Sequence, residues 1–129
     1  MVVSILVVDD ETDVAELFRQ RFRREARQGI YVLHFACSGQ EALDKLAAGI
    51  EPPLIVILSD INMPVMDGLE LLRQIKTRRP DLPVMLVTAY GDEERRRLAG
   101  EYGAAEFITK PVDFDFLKTE LRCLSGAAD

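Results

Sequence analysis

Four strand-like runs in this sequence end on residues that could handle phosphate. Val3 to Val8 runs into Asp9-Asp10-Glu11, and Leu54-Ile55-Val56-Ile57-Leu58 leads through Ser59 to Asp60. Val84 to Val87 is followed by Thr88, and Glu106 to Thr109 by Lys110. Three carboxylates brought together repel one another, which raises their proton affinity unless a cation sits among them. Hard oxygen ligands with open water positions suit Mg²⁺, which pairs readily with phosphate oxygens. A carboxylate beside such an ion can act as the nucleophile in phosphoryl transfer and become an aspartyl phosphate. One lysine would neutralise charge on the transferring group, and a hydroxyl would donate a hydrogen bond to it.

Each piece alone has an ordinary reading. Asp9-Asp10-Glu11 could simply favour the dipole of a following helix. Thr88 alone is a common strand-end residue, and Lys110 alone a solvated side chain. The combination depends on the elements that position these residues. The chain alternates short apolar runs with amphipathic stretches, which predicts a parallel sheet with helices on both faces. In such a sheet the carboxyl ends of the strands share one edge, where ligands bind. Asp9, Asp10, Asp60, Thr88 and Lys110 would all meet there.

The expected strands are Val3 to Val8, Ile30 to Ala36, Leu54 to Leu58, Val84 to Val87 and Glu106 to Thr109. Five helices are expected between and after them. The first runs from about Asp13 with Val14, Leu17, Phe18 and Phe22 at helical spacing, stopping near Gly29. Ser38-Gly39-Gln40-Glu41 has capping-box spacing before the second, which Gly49 and Pro52-Pro53 end. Asp67-Gly68-Leu69-Glu70 opens the third, a charged helix spans about Asp92 to Glu101, and Asp113 caps the last.

At 129 residues with 48% hydrophobic content, the chain fits one domain with one core, residues 1–124, followed by a short small-residue tail at 125–129. The net charge of −6 argues against nonspecific binding to nucleic acid or acidic membranes by the chain as a whole. The apolar start lacks preceding basic residues and is too short to span a membrane, so a buried strand and a cytoplasmic location are expected. Cys37 and Cys123 match no metal or redox spacing and are expected as reduced thiols. His34 lies mid-strand, away from the acids, and reads as structural.

The motifs carry a likeness. Asp60-Ile61-Asn62-Met63-Pro64-Val65-Met66-Asp67-Gly68 resembles the phosphorylation-site signature of response-regulator receiver domains. Leu6-Val7-Val8-Asp9-Asp10-Glu11, Val87-Thr88-Ala89 and Phe107-Ile108-Thr109-Lys110-Pro111 resemble the other motifs of that family, in its order. The likeness covers about Val3 to Leu124.

It implies a flavodoxin-like, doubly wound sheet of strand order 2-1-3-4-5 and a phosphorylation-activated signalling switch rather than an enzyme. Asp60 would accept the phosphoryl group from a sensor histidine kinase or a histidine phosphotransfer protein. Asp10 and Asp60 would ligate Mg²⁺, with the Asn62 backbone carbonyl, and Asp9 through water. Lys110 and Thr88 would hold the phosphoryl group, Phe107 would be the switch aromatic, and Lys110-Pro111 a cis peptide. Asn62 and Tyr90 occupy positions that tune how water reaches the phosphoaspartate.

The output surface would be the fourth and fifth helices with the strand between them. There Arg95-Arg96-Arg97 offers a partner-binding face, or a plain solvated one. The partner or output domain is not legible, and no DNA-binding motif is present. Two other readings use the same acids. An aspartyl-phosphate phosphohydrolase would carry a second acid where Asn62 stands, and an interaction module would bind metal without being phosphorylated.

Overall fold

In a computed structural model that describes residues 3–51, 53–89 and 93–125, the five apolar runs form one all-parallel sheet. The strands are β1 (Val3–Val8), β2 (Tyr31–Ala36), β3 (Leu54–Asp60), β4 (Val84–Thr88) and β5 (Glu106–Thr109). Their order is β2-β1-β3-β4-β5, as the resemblance implies. β1 lies between β2 and β3, pairing Val7 with Phe35 on one side and with Leu58 on the other.

Strand alternation explains why the runs are apolar throughout. Leu6, Val8, Ile57, Val84 and Leu86 face one side, and Ile5, Val7, Val56, Leu58, Met85, Val87 and Ile108 the other. Leu43, Leu71, Leu72, Ile75 and Ala99 pack on the first face. Phe18, Phe22, Leu117 and Leu121 pack on the second. The helices supplying them are α3 (Gly39–Ala48), α4 (Gly68–Arg78) and α5 (Glu93–Glu101) on the first face, α1 (Thr12–Arg21) and α6 (Phe114–Ser125) on the second.

Among the described residues there are six helices rather than the five expected. The first helical stretch divides at Phe22 (φ −106°, ψ 11°), leaving a five-residue α2, Arg23–Arg27. The Lys118 ammonium donates to the Arg21 carbonyl at 2.8 Å, and a side chain inserted there interrupts the helical ladder. Phe22 is fully buried, stacked on Phe18 and edge-on to Tyr31. Its burial holds the break against the core.

The helix starts follow capping logic. Ser38 Oγ accepts from the Glu41 amide at 3.1 Å, Asp67 Oδ1 from Glu70 at 2.9 Å and Asp113 Oδ1 from Phe116 at 3.1 Å. Asp67 is thus the cap of α4 rather than its first residue. The capping box before α3 is displaced by one position, because Glu41 accepts from the amide of Cys37, not Ser38. Pro52, Tyr90 and Asp92 lie outside the described residues. Among the described residues, no helix is long and apolar enough to cross a membrane.

Candidate functional site

The carboxyl ends of β1, β3, β4 and β5 deliver the expected residues to one edge. Carboxylate oxygens of Asp9, Asp10 and Asp60 lie within 4.8 Å of one another. Lys110 Nζ stands 3.5 Å from Asp60 Oδ1 and 3.6 Å from Asp9 Oδ2. They border a cleft of about 600 Å³ whose lining also includes Leu17, Phe18 and Phe114. Residues a hundred positions apart in sequence therefore share one site, because parallel pairing aligns the strand ends.

Asp60 is buried at the end of the central sheet, 5% exposed. Its backbone is fixed on three sides. The Ile61 amide continues the ladder to the Val87 carbonyl at 3.0 Å, the Ser59 hydroxyl donates to the Asp60 carbonyl at 2.9 Å, and the Gly68 amide donates to Ile61 at 2.9 Å. Gly68 comes so close that a Cβ there would stand 2.4 Å from the Asp60 carbonyl oxygen and 2.8 Å from Ile61 Cα. Only glycine lets α4 begin against this strand end.

Burial pushes the Asp60 carboxyl above the usual carboxylate range, with Asp10 adding to the rise and Lys110 opposing it. Burial also raises Asp9, although the Glu11 amide donates to Asp9 Oδ1 at 2.9 Å and favours its charge. Burial works against the Lys110 ammonium, but Asp60 and Asp9 outweigh it and hold its pKa above the ordinary lysine value. The acids are thus short of positive charge and the lysine is held by them. Opposite ligands of an octahedral Mg²⁺ are about 4.2 Å apart, close to the spread of the three carboxylates. The donor set and its surplus negative charge fit such an ion.

Thr88 is fully buried at the end of β4, and its carbonyl accepts from the Lys110 amide at 2.7 Å. Alternation places its side chain on the α5 face of the sheet, with that of Phe107. Phe107 pairs with Leu86 and lies two residues before Thr109, the partner of Thr88. It is half-buried against the core on that face. Asn62 is exposed in the loop after Asp60, and among the described residues no backbone amide donates to its carbonyl. Lys110-Pro111 is cis.

Sequence reasoning missed two features. The contact of Gly68 with Asp60 was signalled only by the Asp67-Gly68 pair, read as a helix start. The Arg96 guanidinium lies over the Phe107 ring, 4.6 Å from its centroid, and nothing local in sequence announces that. His34 stays away from the acids, its Nε2 buried without a hydrogen-bond partner among the described residues and its pKa lowered by burial.

Comparison with known proteins agrees with this geometry. Residues 5–122 match the family described as the response regulator receiver domain. The chain is 38% identical over 125 residues to the response regulator MprA of Mycolicibacterium vanbaalenii, covering 96% of this chain and 51% of that protein. It is 40% identical over 111 residues to the DNA-binding transcriptional regulator NtrC of Escherichia coli, covering 86% of this chain and 22% of that one. It thus spans from about a fifth to a half of these relatives' length. Among solved structures it is similar to the response regulator protein TrrA from Thermotoga maritima in complex with Mg(2+)-BeF, with a TM-score of 0.79 and 34% identity over 96% of this chain and 99% of that chain. With the match running across both sheet faces and the acid edge, the chain belongs to the response regulator receiver domain family.

Proposed function

We propose that this chain, as a receiver domain over residues 1–124, accepts a phosphoryl group on Asp60 and signals by the change of state that follows. The observation that carries this is the meeting of Asp9, Asp10 and Asp60 with Lys110 at 3.5 Å from the Asp60 carboxylate, on the edge where the strand ends converge. The donor is a phosphohistidine on a sensor histidine kinase or phosphotransfer protein, and small acyl phosphates such as acetyl phosphate can substitute.

Asp60 is the nucleophile because it alone of the three acids ends the central β3 and has its backbone clamped by Gly68 and Ser59. A carboxylate oxygen of Asp60 forms a bond to phosphorus as the bond from phosphorus to the donor nitrogen breaks. The leaving imidazole keeps that electron pair. Lys110 then shifts its attraction from the carboxylate to the phosphoryl oxygens, and Thr88 donates its hydroxyl to another. Asp10 and Asp60, with the Asn62 carbonyl, and Asp9 through water, would hold Mg²⁺, which supplies the positive charge that lets two anions approach.

The shift of Thr88 draws Phe107 inward on the same sheet face. This repacks the surface formed by α5, β5 and α6 for a partner or output domain. The working compartment is the cytoplasm. The chain acts as a switch, catalysing only its own phosphotransfer and dephosphorylation.

Labelled acetyl phosphate tests this. Incorporation is expected to require Mg²⁺, to have the alkali lability of an acyl phosphate, and to vanish in Asp60→Asn. Undiminished labelling of that variant would overturn the assignment.

A further inference from the structure

The three consecutive arginines of α5 look alike in sequence, but the structure separates two of them by what they touch. Arg97 is enclosed by carboxylates, its guanidinium 2.6 Å from Glu94 and 2.9 Å from Glu101. Arg96 is exposed and lies instead over Phe107, with its guanidinium carbon 4.6 Å from the ring centroid. This is well inside the range where the negative face of an aromatic ring attracts a cation.

That contact joins a helix to the one aromatic side chain on β5. Phe107 lies on the α5 face, with Thr88 on the neighbouring strand of the same face and fully buried. The ring is only half-buried where it stands. Turning inward beside Thr88 would gain burial, but it would carry the ring face away from Arg96.

We infer that Arg96 is a positioning residue, a cation–π latch that holds Phe107 at the surface and opposes the response to phosphorylation. This deepens the proposed switch and rests on it. The apparent affinity for a ligand that needs the inward ring falls with the fraction of molecules that already have it. An exposed cation–π contact changes that fraction about two- to five-fold.

Two physical effects of losing Arg96 have opposite signs. Removing a positive charge within reach of an anion site weakens anion binding. Removing a latch strengthens it. The full chain titrated with beryllofluoride in excess Mg²⁺, followed by NMR amide shifts, reads the difference.

Arg96→Met keeps the aliphatic stem and is expected to bind beryllofluoride about two- to five-fold more tightly than the parent. Arg96→Lys retains a cation and should restore most of the parent affinity. In a Phe107→Leu background, Arg96→Met should bring no tightening, since the ring through which the latch acts is gone and only the loss of charge is left. Unchanged or weaker binding by Arg96→Met overturns the latch, as does equal tightening in the Phe107→Leu background. A parent chain that fails to bind beryllofluoride, or an Asp60→Asn variant that binds it equally, would sink the phosphoacceptor reading and the latch together. Intact, Asp60-dependent binding that ignores Arg96 would sink the latch alone.

Discussion

Asp60 and Asp9 are held in a state that costs folding free energy. Burial raises both carboxyls, so each binds its proton more readily in the folded chain than in the unfolded one. Stability from such a group increases as pH falls through its folded pKa towards the ordinary value of 3.8, and is lost as pH climbs back. Lys110 has the opposite window. Its contribution is complete below the ordinary value of 10.5 and is lost as pH rises through the higher folded pKa.

Asp60→Asn removes one of the crowded charges, and the metal-free variant should be more stable than the parent at pH 7 by on the order of 1 kcal/mol. The gap should close as pH is lowered towards 4, measured by urea denaturation at each pH. Mg²⁺ should raise the thermal midpoint of the parent and do so much less in Asp60→Asn.

Asp9, Asp10, Asp60, Thr88 and Lys110 were legible because each directly follows or ends an apolar run, and parallel pairing does the rest. Arg96 was not. A charge run on a helix shows which residues are polar, but not which one faces an aromatic ring on a strand ten residues later.

Elements differ in how much freedom they leave the site. Both α4 and α3 begin on a glycine, and a Cβ would be crowded at either. At Gly68 the obstruction is backbone, the Asp60 carbonyl at 2.4 Å, whereas at Gly39 it is the Met66 sulfur at 2.6 Å. A thioether at the end of a side chain can swing away, but a strand end locked into the sheet cannot. Gly68→Ala should therefore cost about 1–3 kcal/mol in urea denaturation and slow phosphorylation, despite the roughly 1 kcal/mol by which alanine favours a helix. Gly39→Ala should fall within about 1 kcal/mol of the parent.

The element count was the part of the fold that the sequence misjudged. Phe22 continues the spacing of Val14, Leu17 and Phe18, so a single helix was expected. The break depends on Lys118, 97 residues away, reaching the Arg21 carbonyl. Contacts of that range leave no periodic trace. The strands were clearer because the inner ones, β1, β3 and β4, are covered on both faces and their runs are mostly apolar.

For the molecule as a whole, one sheet separates two cores. Leu72 on α4 and Leu117 on α6 are both fully buried, on opposite faces. Truncating either to alanine should cost about 2–5 kcal/mol, and the double variant should lose nearly the sum, because the two sites belong to separate clusters on opposite faces of the sheet. Equilibrium urea unfolding with an unchanged slope would show it; strong non-additivity would mean that the sheet transmits strain between its faces.

The strand order also sets the sequence of events on a ribosome. β1 and β3 are neighbours in the sheet, so a nascent chain that has emerged past Asp60 can already bring all three carboxylates together. Lys110 emerges fifty residues later, on the last strand to dock. During that interval the growing chain carries the repulsion without its internal remedy. A divalent ion or bound protons would ease the first pairing, and arrival of β5 adds to that borrowed charge one the chain makes for itself.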